Sequence, residues 1–258
     1  MENCSIRGSH PVVQAIVSAA ARIATTDVGV LIVGEKGVGK ELLARFVHDM
    51  SDRAGGPFLR VDCQDLAGQW DGTIVTSTLS RELEEDGIGG AILERARGGT
   101  LFLDHISAFG PELQARLLTS IVGGSVAQLD VRLVAAREPR ESLPSCLAVA
   151  ALALVEIPVP ALRHRRSDIP VPVEHFLELY ARRHGVAPCQ IDRDAMVQLW
   201  QYDWPGNVRE LESLIERVVV LSRGGGIHVT DLPSHVCNGR RPPRGNGLPV
   251  EPLPPELA

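Results

Sequence analysis

The stretch Val28–Glu41, VGVLIVGEKGVGKE, decides the fold. Its first half, Val28 to Val33, is a short apolar run that suits a buried parallel strand. Gly34-Glu35-Lys36-Gly37-Val38-Gly39-Lys40 follows with the full G-x-x-x-x-G-K spacing, and Glu41 takes the place of the usual Ser or Thr. Beyond it Leu42, Leu43, Phe46 and Val47 recur at helical spacing on one face. Strand, Gly-rich turn and helix in that order form the context of a phosphate-binding loop. The glycines let backbone N–H groups turn inward, the helix N-terminus adds its positive dipole end, and Lys40 reaches the outer phosphates. ATP is therefore the expected cofactor, with Gly34 through Glu41 as its cradle.

Outward from this loop the chain alternates strands and helices. Pro11–Ala24 carries a helical apolar pattern. Pro57–Cys63 (PFLRVDC), Gly99–Asp104 (GTLFLD), Asp130–Ala136 (DVRLVAA) and Ala153–Ile157 read as further strands, with helices at Pro111–Val122 and, shorter, at Leu79–Glu85. This is the pattern of an α/β fold with a parallel sheet sandwiched by helices. After Pro158–Pro160 the strands stop, and Val171–Arg183, Arg193–Tyr202 and Asn207–Ser222 read as helices. The expected domains are residues 1–160 for nucleotide binding, 161–236 for a small helical lid, and 237–258 for a Pro-, Gly- and Arg-rich disordered tail. Asp104, at the end of its strand, is the candidate ligand for Mg2+, usually through water.

Composition narrows the function. A net charge of −6 gives no support for non-specific DNA binding. Cys4, Cys63, Cys146, Cys189 and Cys237 are scattered and never spaced C-x-x-C, as expected of core residues in a reducing compartment. The N-terminus shows no secretory leader, and the most apolar run, Leu147–Val155, is too short to span a bilayer, so a cytoplasmic location is expected.

Several collinear stretches, VGEKGVGKELLARFVH, PFLRVDC, ARGGTLFLDHI, PELQARLL, DVRLVAA, PALRHRRSDIP, WPGNVRELESLIERVV and IHVTDLP, together resemble the AAA+ ATPase domain of sigma-54-dependent bacterial transcription activators. The resemblance covers roughly Ile6 to Pro233. It accounts for Glu41, since Glu follows the loop lysine in that family too. It implies a hexamer-forming ATPase with an α-helical lid, in which Arg209 senses the γ-phosphate.

The departures from that family point one way. Where it has Asp-Glu, with the Glu orienting the attacking water, this chain has Asp104-His105; the Asn that restrains that Glu is matched by Asp62. General-base help is worth ~10²–10⁴-fold. Asp62 and His105 form either a structural ion pair in a dead site or a dyad in which His105 takes over as base. The loop motif GAFTGA that grips sigma-54 is absent from Thr76–Gly90, which carries Glu82, Glu84, Glu85 and Asp86 instead. The trans-acting arginines are matched by Ser145 and Ala151. The polar sensor is replaced by Arg137-Glu138, with Arg137 read as a solvent-facing charge. An arginine finger is worth ~10³–10⁵ in rate.

The expected function is an ATP-binding, sigma-54-activator-like regulatory domain that hydrolyses little. It acts through protein partners, joining AAA+ relatives in a homo- or hetero-oligomer, without firm contact to sigma-54 and without a DNA-reading helix pair. The alternatives are an active ATPase working through Asp62 and His105 to remodel a transcription complex, and a scaffold that has lost nucleotide as well.

Overall fold

Three of the five strands, Val30–Val33, Thr100–Asp104 and Arg132–Arg137, are mostly apolar and buried along almost their whole length, as strands covered on both faces are. The computed structural model describes residue 8 and residues 10–64, 95–108, 130–141, 154–222 and 224–237. The expected helices at Leu79–Glu85 and Pro111–Val122, the acidic stretch Thr76–Gly90, Ser145, Ala151 and the tail from residue 238 lie outside them.

The elements are α1 (Pro11–Ala24), β1 (Val30–Val33), α2 (Lys40–Asp49), β2 (Phe58–Asp62), β3 (Thr100–Asp104), β4 (Arg132–Arg137), β5 (Val155–Pro158), α3 (Pro170–His184), α4 (Arg193–Gln201), α5 (Asn207–Ser222) and the single turn α6 (Ser234–Cys237). By contacts the chain divides into two compact units. The first comprises Met1–Ile6, Ala15–Glu35 and Lys40–Val159; the second comprises Arg7–Gln14, Lys36–Gly39 and Pro160–Ala258.

In the first unit the strands form one parallel sheet in the order β2-β3-β4-β1-β5. Alternation along each strand splits the core in two. Val30, Ile32, Phe102, Val134 and Ala136 face α1 and α2, meeting Ala20, Leu43, Ala44 and Val47. Leu31, Val33, Leu101, Leu103, Leu133 and Ala135 line the opposite face with Cys63, Ala96 and Ile106. Each large apolar side chain so buried contributes about 1.5–3 kcal/mol before entropy is counted.

Two buried polar groups brace this unit. Arg132 donates to the carbonyls of Ala24 and Ile23, both at 2.9 Å, and of Val28 at 3.1 Å, satisfying the open C-terminal end of α1. His48 Nδ1 lies 3.0 Å from the Thr100 hydroxyl. The buried face of α2 is therefore Lys40, Leu43, Ala44, Val47 and His48, with Phe46 partly buried. Leu42, on the edge of this face, is more than a third exposed.

The second unit is helical. Phe176, Leu177, Tyr180, Leu199, Trp204, Leu211, Ile215 and Val219 form its core. Pro170 opens α3 at its first turn, Gly185 ends it in the left-handed conformation, and the Asp192 carboxylate caps α4 by accepting from the Ala195 N–H at 2.7 Å.

Candidate functional site

In the first unit Lys40, 7 % exposed, opens α2 and turns its ammonium back along the loop. Its Nζ donates to the carbonyls of Gly34 at 2.8 Å and Glu35 at 3.2 Å. The geometry of a helix start also leaves the first-turn N–H groups of α2 without intrahelical acceptors.

In the second unit the turn WPGN folds over on itself. Trp204 and Asn207 both have positive φ, at 51° and 56°, and the Asn207 N–H returns to the Trp204 carbonyl at 2.8 Å. This presents Asn207, which is fully buried. Its Oδ1 accepts from the Leu162 N–H at 2.8 Å, and its Nδ2 donates to the Lys36 carbonyl at 2.9 Å. Next to it the Val208 N–H reaches the Gly37 carbonyl at 3.0 Å, and the Arg165 guanidinium reaches the Val38 carbonyl at 3.0 Å. The carbonyls of Lys36, Gly37 and Val38 are thus all engaged by residues of the second unit. In a trans peptide the N–H of the following residue points the other way. The N–H groups of Gly37, Val38 and Gly39 therefore each point away from the group that holds the carbonyl of the same peptide.

Gly37 and Gly39 adopt φ of 78° and 99°, which such a nest requires. A Cβ on Gly37 would fall 2.2 Å from the Gly206 carbonyl oxygen, so no larger residue fits there. These N–H groups are the donors that a phosphate chain needs. Arg209, the expected γ-phosphate sensor, is exposed and donates its backbone N–H towards the Gly37 carbonyl at 3.4 Å.

A second cluster lies at the carboxyl ends of β2 and β3, in the first unit. The parallel register places Asp62 beside Asp104. His105 follows with φ of 54°, a left-handed conformation that costs a non-glycine residue roughly 1–2 kcal/mol. That turn brings the ring back: Nδ1 lies 3.2 Å from Asp62 Oδ1 and 3.8 Å from Asp104 Oδ1. Asp62 and His105, paired on sequence grounds, are in contact. Burial opposes the charge on Asp62, but the Gln64 N–H and the His105 ring outweigh it and hold its carboxyl below the usual range.

Arg60 completes the cluster. Its guanidinium reaches Asp104 Oδ2 at 3.1 Å, Asp62 Oδ2 at 3.3 Å and Glu41 Oε2 at 3.2 Å. Partial burial works against its charge, and the Asp104 bond and the Glu41 carboxylate more than offset it, keeping its pKa above that of an ordinary arginine. Arg60 is not among the expected site residues. Strand alternation is the signal that could have found it, because residues 60 and 62 share a face. Glu41 is held by Arg60 at 3.2 Å and by Arg45 at 2.9 Å.

Arg137 corrects an expectation. It is partly buried, donating to the carbonyls of Glu138 and Glu141 at 3.2 and 3.3 Å, and is not a free solvent-facing charge. Cys63 is buried; that burial and the charges of Asp62 and Asp104 push its thiol far above the usual range, leaving it inert.

Known proteins were compared with the chain. The Sigma-54 interaction domain profile matches residues 6–142, and the AAA+ ATPase lid domain profile matches residues 163–246. The transcriptional regulatory protein ZraR of Escherichia coli (strain K12) is 36% identical over 95% of this chain and 59% of its own length. The DNA-binding transcriptional regulator NtrC of Azospirillum brasilense is 37% identical over 85% of this chain and 49% of its own. The chain spans about half to three fifths of the length of these relatives. Among solved structures, NtrX from Brucella abortus in complex with ADP superposes with a TM-score of 0.76 at 30% identity, covering 91% of this chain and 56% of that one. The same protein in complex with ATP gives 0.75.

Proposed function

Since this chain belongs to the Sigma-54 interaction domain family and has its AAA+ P-loop fold, we propose that it is an ATP-binding transcription regulatory domain that hydrolyses its nucleotide poorly and acts through protein partners. The observation that carries the binding half is the loop at Lys36–Gly39. Three successive carbonyls are held by Asn207, Val208 and Arg165, which leaves the opposed N–H groups of the same peptides to take phosphate oxygens in this reading. Gly34, Glu35, Lys36, Gly37, Val38, Gly39 and Lys40 would line the phosphates. Glu41 would contribute through its backbone, and Arg209 would meet the γ-phosphate. The similar NtrX structures with ADP and ATP support the same choice of ligand.

Asp104 would hold Mg2+, which when bound neutralises the charge on the β- and γ-phosphates. Poor hydrolysis is supported by what stands around that aspartate. The water-orienting Glu and its Asn partner are replaced by His105 and Asp62, which face each other at 3.2 Å, and Arg60 lies on both carboxylates. Binding needs the cradle, whereas turnover needs groups placed around the γ-phosphate.

The partners proposed are AAA+ relatives in a mixed or uniform ring and, through them, the transcription machinery, without firm contact to sigma-54 from this chain because Thr76–Gly90 carries no GAFTGA motif. No helix among the described residues is long and apolar enough to cross a membrane; a cytoplasmic setting fits this role. A second reading has a specific observation in its favour: the 3.2 Å Asp62–His105 contact is also what a carboxylate-oriented imidazole base requires.

The deciding experiment pairs ATP affinity with phosphate release on the same preparation. The expected result is measurable ATP binding, lost in Lys40→Ala, with almost no phosphate release. Turnover like that of ordinary AAA+ activators, falling in His105→Ala, would establish the second reading instead.

A further inference from the structure

We propose that Asp62, Asp104 and His105 form a binding site for a divalent first-row transition-metal ion, independent of nucleotide.

One ligand atom from each residue lies within 4.8 Å of the others. The ring Nδ1 is 3.2 Å from Asp62 Oδ1 and 3.8 Å from Asp104 Oδ1. Bonds of about 2.0–2.2 Å to a common ion place neighbouring donors roughly 3.0–3.6 Å apart. Two of the three separations are therefore already within a few tenths of an ångström of a shared coordination sphere.

The carboxylates are presented for this. Arg60 occupies the Oδ2 atom of both aspartates, at 3.3 and 3.1 Å, and leaves both Oδ1 atoms turned to the histidine. The Gln64 N–H fixes Asp62 Oδ1 at 3.0 Å, and the His105 N–H fixes Asp104 Oδ1 at 3.1 Å. Outer hydrogen bonds of this kind orient metal-binding carboxylates. The left-handed His105 backbone is what turns Nδ1 towards the acids.

Charge and chemistry agree. The carboxylates of Glu41, Asp62 and Asp104 meet the guanidinium groups of Arg45 and Arg60, so the cluster keeps an excess negative charge. An imidazole beside two carboxylates suits zinc, cobalt, iron or nickel, whereas Mg2+ prefers oxygen ligands and water. The side chains are 11 to 17 % exposed, which leaves room for water at the remaining positions.

The test uses Co2+ as probe on the nucleotide-free chain, with visible absorbance and calorimetry. Wild type is expected to take up one equivalent with ligand-field bands and no intense thiolate charge-transfer band. His105→Ala and Asp62→Asn should each weaken binding at least about tenfold. Asp62→Asn keeps the side-chain shape and reads the site even where His105→Ala unfolds the chain. Zn2+ should displace Co2+, and an equal concentration of Mg2+ should not. Lys40→Ala should keep Co2+ binding while losing ATP, which separates this inference from the nucleotide reading. No saturable uptake, affinity unchanged in both variants, a thiolate band, or displacement by equimolar Mg2+ would overturn it.

Discussion

Arg60 on β2 grips Asp104 on β3 through a 3.1 Å salt bridge, so the acid expected to hold Mg2+ already carries a cationic partner. Guanidinium and metal ion compete for one carboxylate. Arg60→Gln is expected to enlarge the gain in ATP affinity that Mg2+ brings, by several-fold over wild type. Calorimetry with and without Mg2+ measures it; an equal gain in both proteins would mean that Arg60 does not compete.

Gly37 tests the loop. Its φ of 78°, and the 2.2 Å at which a Cβ would meet the Gly206 carbonyl oxygen, leave no room for a methyl group. Gly37→Ala should lower the thermal midpoint and weaken ATP binding by at least about tenfold, since misplaced N–H donors lose charge-assisted hydrogen bonds. Retained affinity would show that the N–H groups of this loop do not carry the binding.

Reverting the acid–histidine pair tests the account of hydrolysis. Asp62→Asn combined with His105→Glu restores the residues that the family places there. Phosphate release is expected to rise by about tenfold or more, up to the ~10²–10⁴-fold that general-base help is worth. A rate no higher than wild type would move the defect away from this pair.

His48 should make the first unit acid-sensitive. Its burial lowers its pKa; Asp49 opposes this and Arg45 adds to it. The unfolded chain gains a proton near pH ~6.5 that the folded chain resists, so stability falls as pH drops through that value towards the lowered one. The thermal midpoint of His48→Gln should change less with pH across this window than that of wild type.

Arg132 makes a stability prediction. Its guanidinium is buried and serves the carbonyls of Ile23, Ala24 and Val28. Arg132→Met removes a donor from each, while Ile23 keeps the Thr26 N–H and hydroxyl, and should cost about 2–4 kcal/mol in urea unfolding. A loss below about 1 kcal/mol would show that water replaces the arginine.

The parts of the fold legible in the sequence are those set by local pattern. Pro11–Ala24 and Asn207–Ser222 form helices with the expected bounds, because apolar spacing and flanking turn residues specify them without distant help. The strands, too, fall on the apolar runs read as strands, within about two residues at each end.

What could not be read depends on partners far away in sequence. His48 of α2 is buried with Thr100 of β3 as its hydrogen-bond partner, 52 residues away, while Leu42 on the same helix is more than a third exposed. Arg137 is drawn in by the carbonyl of Glu141. Arg60 gains its role from Asp104, which pairs with it only once β2 and β3 are in register. The placing of Lys36–Gly39 with the helical unit rests on Asn207 and Arg165, which no pattern around the loop announces.

The pairing of Asp62 beside Asp104 ties the fate of three positions together. A change at residue 62 alters the charge felt by Arg60, the hydrogen bond of His105 and the freedom of Asp104 at once. Single substitutions here have no independent effects, and their energies will not sum. The three strand-end residues therefore behave as one unit, so the effect of exchanging any one of them depends on what stands at the other two.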